Sequence, residues 1–260
     1  MTRVALVTGA ARGIGAATVH ALAAQGWSVV ATDRCSDDPR LSYALGTEAE
    51  LLQVAASAGD QVVACVADAT DPEALSRAVG LAEKQFGGLD AALAVAGVVA
   101  GGVPLWEQPM AEIEAVLEVD LRGVLLLARV AVPALLRRPA PRSGRFIAVA
   151  STAAVRGLPM LSAYCAAKAG VTGLVRGLAA ELRGTGITAN AVSPGSTETA
   201  ILVESARLYG LESPAAFATQ QPLERLLTPE EVAAALVWLA GSQSSGVTGA
   251  VFPVDGGLAL

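Results

Sequence analysis

Two side chains with usable chemistry lie four residues apart in Tyr164-Cys165-Ala166-Ala167-Lys168. Any helix over that stretch puts the phenol and the ammonium on one face. An ammonium beside a phenol stabilises the phenolate. A free tyrosine titrates near ~10, and bringing it to about 7 asks the neighbours for roughly 4 kcal/mol. The result is a proton donor and acceptor usable at neutral pH. Ser151 lies thirteen residues upstream, at the end of the apolar run Phe146-Ile147-Ala148-Val149-Ala150, where its hydroxyl can hold a substrate oxygen beside the tyrosine. Composition argues against rival chemistries. The single histidine, His20, excludes histidine-paired metal motifs and speaks against a Ser-His-Asp hydrolase, so no metal site is expected. Cys35, Cys65 and Cys165 form no C-x-x-C and read as reduced thiols, which makes the cytoplasm the expected location. The 18 basic and 24 acidic residues give a net charge of −6 with no basic run, which argues against nucleic acid or an anionic membrane as partner.

The elements that must position these groups follow from patterning. A chain of 260 residues that is 53% hydrophobic can bury one large α/β core. Its uncharged run 91–106 is interrupted by Gly97, Gly101, Gly102 and Pro104, too short and broken to span a bilayer. The apolar stretch 4–7 is too brief for a signal peptide. Short apolar runs predict strands over 4–8, 28–32, 61–67, 89–96, 144–150, 187–192 and 247–254. Helical periodicity predicts helices from the glycine-rich turn to residue 24 and over 48–58, 72–86, 111–138 and 161–183, with a further helix opened by the capping-box pair Thr228 and Glu231. Strands and helices alternate with no break in composition, which predicts a single domain, residues 1–260, built on a parallel sheet covered on both faces. Residues 35–47 read as a long loop, and 200–222 as a less regular lid.

In such sheets ligands bind at the carboxyl ends of the strands. Gly9, Asp33, Asp68, Gly97, Ser151 and Pro194 all fall at predicted strand ends. Gly9-Ala10-Ala11-Arg12-Gly13-Ile14-Gly15 lies between a strand and a helix, the setting of a phosphate-binding turn. Asp33, eighteen residues past Gly15, can accept from ribose hydroxyls and would repel a 2′-phosphate, favouring NAD over NADP. Arg12 and Arg34 are alternative phosphate partners. Asp68 can reach an adenine edge, or it or Asp71 can cap the next helix.

The combined motifs Thr8-Gly9-x-x-x-Gly13-Ile14-Gly15, a strand-end serine, Tyr164-x-x-x-Lys168 and Asn190-Ala191-Val192-Ser193-Pro194-Gly195 resemble the short-chain dehydrogenase/reductase family over essentially the whole chain. The resemblance implies a Rossmann-type, doubly wound, seven-stranded sheet and hydride transfer between an alcohol or ketone and a nicotinamide. It implies that Tyr164 is the general acid/base, that Lys168 binds the nicotinamide ribose and lowers the tyrosine pKa, and that Ser151 polarises the substrate oxygen. It places Pro194, Gly195 and the segment through Thr197 to Thr199 at the nicotinamide, Gly9, Ile14 and Gly15 at the pyrophosphate, and Ala96 and Gly97 near the adenosine ribose; Asp68, by its strand-end position, and Ala69 beside it are further cofactor-binding candidates. It also implies a homotetramer built from the long-helix faces and the last strand. Two positions depart from the family pattern: Ala94-Val95-Ala96-Gly97 stands where Asn-Asn-Ala-Gly is usual, and Asp120 stands where an asparagine anchors a relay water. The segment Tyr43-Ala44-Leu45-Gly46-Thr47-Glu48 is similar to that of members associated with the redox cofactor mycofactocin, which implies a tightly held NAD reoxidised in place. The expected reaction is oxidation of a small apolar alcohol, with Trp106, Val155, Leu158, Leu161, Leu202 and Tyr209 as pocket candidates. A dihydrodiol-type dehydrogenase and a non-catalytic NAD-binding regulator are the rival readings.

Overall fold

Val4–Thr8 is buried along its whole length and forms β1, an interior strand of the sheet in the computed structural model, which describes residues 2–260. A strand with no exposed face has to be apolar on both sides, as parallel central strands are. The chain continues through α1 (Gly13–Ala24), β2 (Ser28–Asp33), α2 (Glu48–Ala58), β3 (Val62–Val66), α3 (Pro72–Phe86), β4 (Ala91–Ala94), α4 (Met110–Leu117), α5 (Gly123–Arg137), β5 (Arg145–Val149), α6 (Ser162–Glu181), β6 (Thr188–Pro194), α7 (Ala200–Leu208), α8 (Pro229–Ala240) and β7 (Val251–Val254). All seven strands pair in parallel in the order β3-β2-β1-β4-β5-β6-β7. The crossing from β3 back past β1 to β4 is the switch point at which such sheets open a crevice.

Alternate residues of the strands feed two cores. Val4 and Leu6 pack with α3, α5 and α6 on one face; Ala5 and Val7 pack with α1, α2 and α8 on the other. Leu6, Leu93 and Ile147 are fully enclosed. Each such side chain contributes about 1.5–3 kcal/mol of burial, so the strand ends carrying the site rest on a rigid base.

Four differences from the sequence expectation stand out against shifts of a residue or two at other element ends. The fourth strand is Ala91–Ala94, not 89–96, because the Val95 and Ala96 N–H groups leave the ladder and donate to Thr8 Oγ1 at 3.1 and 3.2 Å. The last strand starts at Val251 rather than 247: the Asn190 amide takes the Val247 carbonyl and the Ala250 N–H into a side-chain bracket. The long helix expected over 111–138 carries a π-helical turn, Glu118–Arg122, between α4 and α5. Residues 200–222 are more regular than their composition suggests. Thr199 caps α7 by accepting from Leu202 N–H at 3.3 Å, Leu202 and Ala206 bury one stripe of it, and a 3₁₀ segment, Pro214–Gln220, follows. Among the described residues no helix is long and apolar enough to cross a membrane, no cluster could hold a metal ion, and the three cysteines are unpaired.

Candidate active site

The turn between β1 and α1 forms because two of its glycines take left-handed conformations, φ +67° at Gly9 and +56° at Gly13. A Cβ on Gly9 would sit 2.6 Å from Ala96 Cα, and one on Gly15 would fall on the Gly9 carbonyl oxygen. The turn therefore presses against the end of β4 with no room for side chains. The first turn of α1 holds no acidic residue and no side-chain cap, so its N–H groups and dipole face the crevice free for an anion.

Asp33 closes β2. Its carboxylate accepts from Ala11 N–H at 3.1 Å, and Gly46 lies over it. Asp68 ends the turn after β3 by accepting from the Thr70 N–H and hydroxyl, both at 2.8 Å, and pairs with Arg34 at 3.5 Å. Asp71, two residues before Glu73, is the residue that caps α3. Arg12 and Arg34, read from sequence as phosphate partners, are engaged elsewhere: Arg12 donates to the Ala44 carbonyl at 2.7 Å, and Arg34 is held by Asp38 and Asp68. Both still line the cleft.

The hydroxyl, phenol and ammonium meet at the other end. Ser151 lies at the end of β5, where a 3₁₀ turn begins and its Oγ accepts from Ala153 N–H. Tyr164 and Lys168 come off successive turns near the start of α6. Lys168 is 3% exposed and donates to the Val149 carbonyl at 3.2 Å; its Nζ lies 5.6 Å from the centre of the Tyr164 ring. Asp120 projects from the π turn into the same space, fully buried. One of its oxygens accepts from Val98 N–H at 2.8 Å and lies 3.9 Å from Lys168 Nζ, while the other has no hydrogen-bond partner among the described residues. Burial pushes the Asp120 carboxyl up to about 6, partly offset by Lys168. The expectation of a lowered tyrosine pKa is not met by these residues alone. Burial lifts Tyr164 above its ordinary value, the Asp120 charge adds to the lift, and only the nearby Ser151 hydroxyl pulls it down. Lys168, with its Nζ 5.6 Å from the ring centre and one N–H given to the Val149 carbonyl, does not offset the loss of solvent at the phenol.

The missing Asn-Asn brace has replacements. Thr8 Oγ1, Asp120 and the Tyr43 hydroxyl accept the N–H groups of residues 95, 96, 98 and 99. Pro194 ends β6, and Thr152 donates to its carbonyl at 3.0 Å, tying the serine turn to that strand. Gly195 is packed so closely by Gln221 and Asp255 that a Cβ has no room. Thr197 and Thr199 donate to the backbone carbonyls of Gly195 and Thr197.

One cavity of about 610 Å³ runs between these two ends. Gly9, Arg12, Gly13, Ile14, Gly15, Asp33, Asp68, Ala69, Ala96, Gly97, Ser151, Tyr164, Lys168, Pro194, Gly195, Thr197 and Thr199 all border it; Asp120 lies just behind. Of the pocket candidates, Leu158, Leu161, Leu202 and Tyr209 line it. Trp106, in the 3₁₀ turn Leu105–Glu107, and Val155, just after the 3₁₀ turn Thr152–Ala154, do not: they are 84% and 73% exposed. Sequence reasoning missed Ile201, Leu211, Phe217 and Gln220 on the lid, and gave Tyr43 no place in the site; an aromatic residue in an otherwise polar loop was the available signal. A tight glycine cradle, a carboxylate at the end of β2 and open α1 N–H groups fit a dinucleotide, with Ser151, Tyr164 and Lys168 at its far end.

The family model described as Enoyl-(Acyl carrier protein) reductase matches residues 9–259. The chain is 38% identical over 257 residues to cis-4-hydroxycyclohexanecarboxylate dehydrogenase of Sinomonas cyclohexanicum, covering 98% of this chain and 96% of that protein. It is 34% identical to the 3-oxoacyl-(acyl-carrier-protein) reductase FabG of Thermotoga maritima, covering 99% and 98%. Carveol dehydrogenase from Mycobacterium avium, solved in complex with NAD, superposes with a TM-score of 0.92 at 31% identity over 98% of this chain and 97% of that one. With the sheet order, the glycine turn and the Ser-Tyr-Lys trio, these matches place the chain in the short-chain dehydrogenase/reductase family, as an oxidoreductase acting on CH–OH groups.

Proposed function

We propose that the protein oxidises a small, largely apolar secondary alcohol to its carbonyl, reversibly, with NAD as the partner. The observation that carries this reading is the meeting of Ser151, Tyr164 and Lys168 at one end of a cavity whose other end is the glycine turn and Asp33. When bound, NAD supplies the carbon that accepts the substrate's hydride. Gly9, Gly13, Ile14, Gly15 and the α1 N–H groups would hold its pyrophosphate, and Asp33 its adenosine ribose. Asp68 and Ala69 would border the adenine. Lys168 would hold the second ribose, and Pro194, Gly195, Thr197 and Thr199 would border the nicotinamide. Asp33 carries a charge that disfavours a 2′-phosphate, which supports NAD over NADP.

Ser151 positions the substrate hydroxyl, and Tyr164 as phenolate takes its proton. Leu158, Leu161, Ile201, Leu202 and Phe217 give the substrate end an apolar lining and keep water from it. The relatives named for cyclic alcohols, 4-hydroxycyclohexanecarboxylate and carveol, support a cyclic secondary alcohol as the first to test. Cyclohexanol and carveol, followed through NADH absorbance, test the reading. Tyr164→Phe is expected to keep NADH binding and lose about 10²–10⁴-fold in turnover. Full activity in that variant would refute the role of Tyr164.

A finer reading rests on residues 35–47, which close over the adenosine end with Leu45 buried and Arg12 clamped to Ala44. We read this as a flap that retains NAD through many turnovers, with an external carrier such as mycofactocin reoxidising it in place. NAD(H) set free only when the purified protein is denatured is the expected result; a protein that exchanges its nucleotide within seconds would contradict it. We also assign the protein to the cytoplasm, where three unpaired cysteines stay reduced.

A further inference from the structure

The flap and the lid close the cleft from different parts of the chain, and one carboxylate joins them. Glu204, on α7, is 4% exposed. The Ser42 hydroxyl, on the flap, donates to Glu204 Oε1 at 3.0 Å across 162 residues of sequence. Arg207 donates to both Glu204 oxygens at 2.6 and 2.8 Å, and its Nη2 also donates to Ser42 Oγ at 2.7 Å. Ser42 therefore sits in a fork between a carboxylate and a guanidinium of the lid. The Arg207 and Ser42 hydrogen bonds hold the Glu204 carboxyl below its ordinary range, so it is charged at neutral pH.

The rest of the flap is anchored away from the lid. Leu41, Tyr43 and Leu45 pack in a cluster with Val98, Val119 and Tyr164. Arg40 reaches Glu118 at the π turn at 2.8 Å, and Asp38 is enclosed by Arg34 and Arg40. α7 has its own partners: Leu202 and Ala206 pack on Phe217, and Tyr209 donates to the Pro159 carbonyl at 2.7 Å. Lifting α7 by itself would strip Ser42 from a buried charge, and opening the flap by itself would do the same.

We infer that Glu204 is a positioning residue that latches the flap to the lid, so that nucleotide release and opening of the substrate pocket are one coupled movement. The inference rests on the nucleotide reading of the cleft. By reciprocity, a carbonyl product held beneath α7 slows nucleotide release, and bound nucleotide keeps the lid down.

The test is run with Tyr164→Phe as the background of every protein compared, so that the ketone cannot consume bound NADH; each is loaded by long incubation with NADH and chased with excess NAD, and NADH fluorescence is followed with and without cyclohexanone. The background protein is expected to release slowly, and more slowly still with the ketone. Ser42→Ala and Glu204→Gln should each speed release about tenfold or more, and the ketone should lose its effect in both. The double variant should release no faster than the quicker single variant, because both break the same Ser42–Glu204 contact. Ser42→Thr, which keeps the hydroxyl, should restore slow release. Ser42 is exposed, so Ser42→Ala should leave the melting temperature nearly unchanged and guard against mere unfolding. Release at the background rate in Ser42→Ala, or additive effects in the double variant, overturns the latch while the nucleotide reading stands. A wild-type protein that neither takes up NADH nor yields NAD(H) on denaturation overturns both.

Discussion

Asp120 and Lys168 are a buried pair whose charges face one phenol. The carboxylate carries one free oxygen in a space with no solvent, and it raises Tyr164 at a distance. A neutral amide at this position would keep the Val98 hydrogen bond and remove that charge. Asp120→Asn is therefore expected to lower the Tyr164 pKa. The sign follows directly: less negative charge near the phenol means that phenolate forms at lower pH. The acid limb of kcat/KM for alcohol oxidation should move to lower pH by about one unit, at about 1.4 kcal/mol per unit. A pH–rate profile of the two proteins checks this, and an unmoved limb would show that Asp120 is not felt at the tyrosine. The same pair marks where residue-level reading stopped. Spacing alone put Tyr164 and Lys168 on one face, but the direction of the tyrosine shift needed the burial of three side chains at once.

Two elements set the geometry by departing from regular structure. The glycine turn is one. Gly15→Ala places a methyl group on the Gly9 carbonyl, which forces the turn away from β4. A backbone strain of about 1–3 kcal/mol is expected, with NADH affinity falling by roughly 5- to 150-fold in a calorimetric titration and the helix content unchanged. The π turn at Glu118–Arg122 is the other, and it aims Asp120 at Lys168 while offering Glu118 to the flap. Such turns are frequent at functional sites. Residues 111–138 show one continuous helical period in sequence, because a widened turn changes the phase of side chains without changing which residues favour helix. Strand ends were misread for a related reason. Thr8 and Asn190 withdraw backbone groups from the ladder through side-chain hydrogen bonds, which apolar patterning does not register.

At the scale of the molecule, the surface carries apolar groups that the fold leaves uncovered. Leu117 and Leu125 on α4 and α5 are 36% and 44% exposed, and Phe252 on the edge strand β7 is 37% exposed, its ring tilted against Trp238 with centres 5.4 Å apart. These are the long-helix faces and last strand at which the homotetramer was expected. We predict a particle of four times the 26.1 kDa chain mass by light scattering. Leu125→Glu or Phe252→Asp should each reduce it to a smaller assembly, because a charge on an apolar contact is left unpaired. A monomeric wild type would rule the assembly out.

The amino-acid sequence by itself determined the alternation of strands and helices, the glycine turn, and the identities of Ser151, Tyr164 and Lys168. All of these are local: period, turn chemistry and spacing are written in neighbouring residues. Only the tertiary structure decided that Arg12 clamps the flap, that Asp120 is buried against Lys168 with one oxygen lacking a partner among the described residues, and that Ser42 meets Glu204 across 162 residues. Those facts depend on which groups lose water together when distant segments pack. Desolvation is a property of the assembled interior, and no stretch of chain carries it alone.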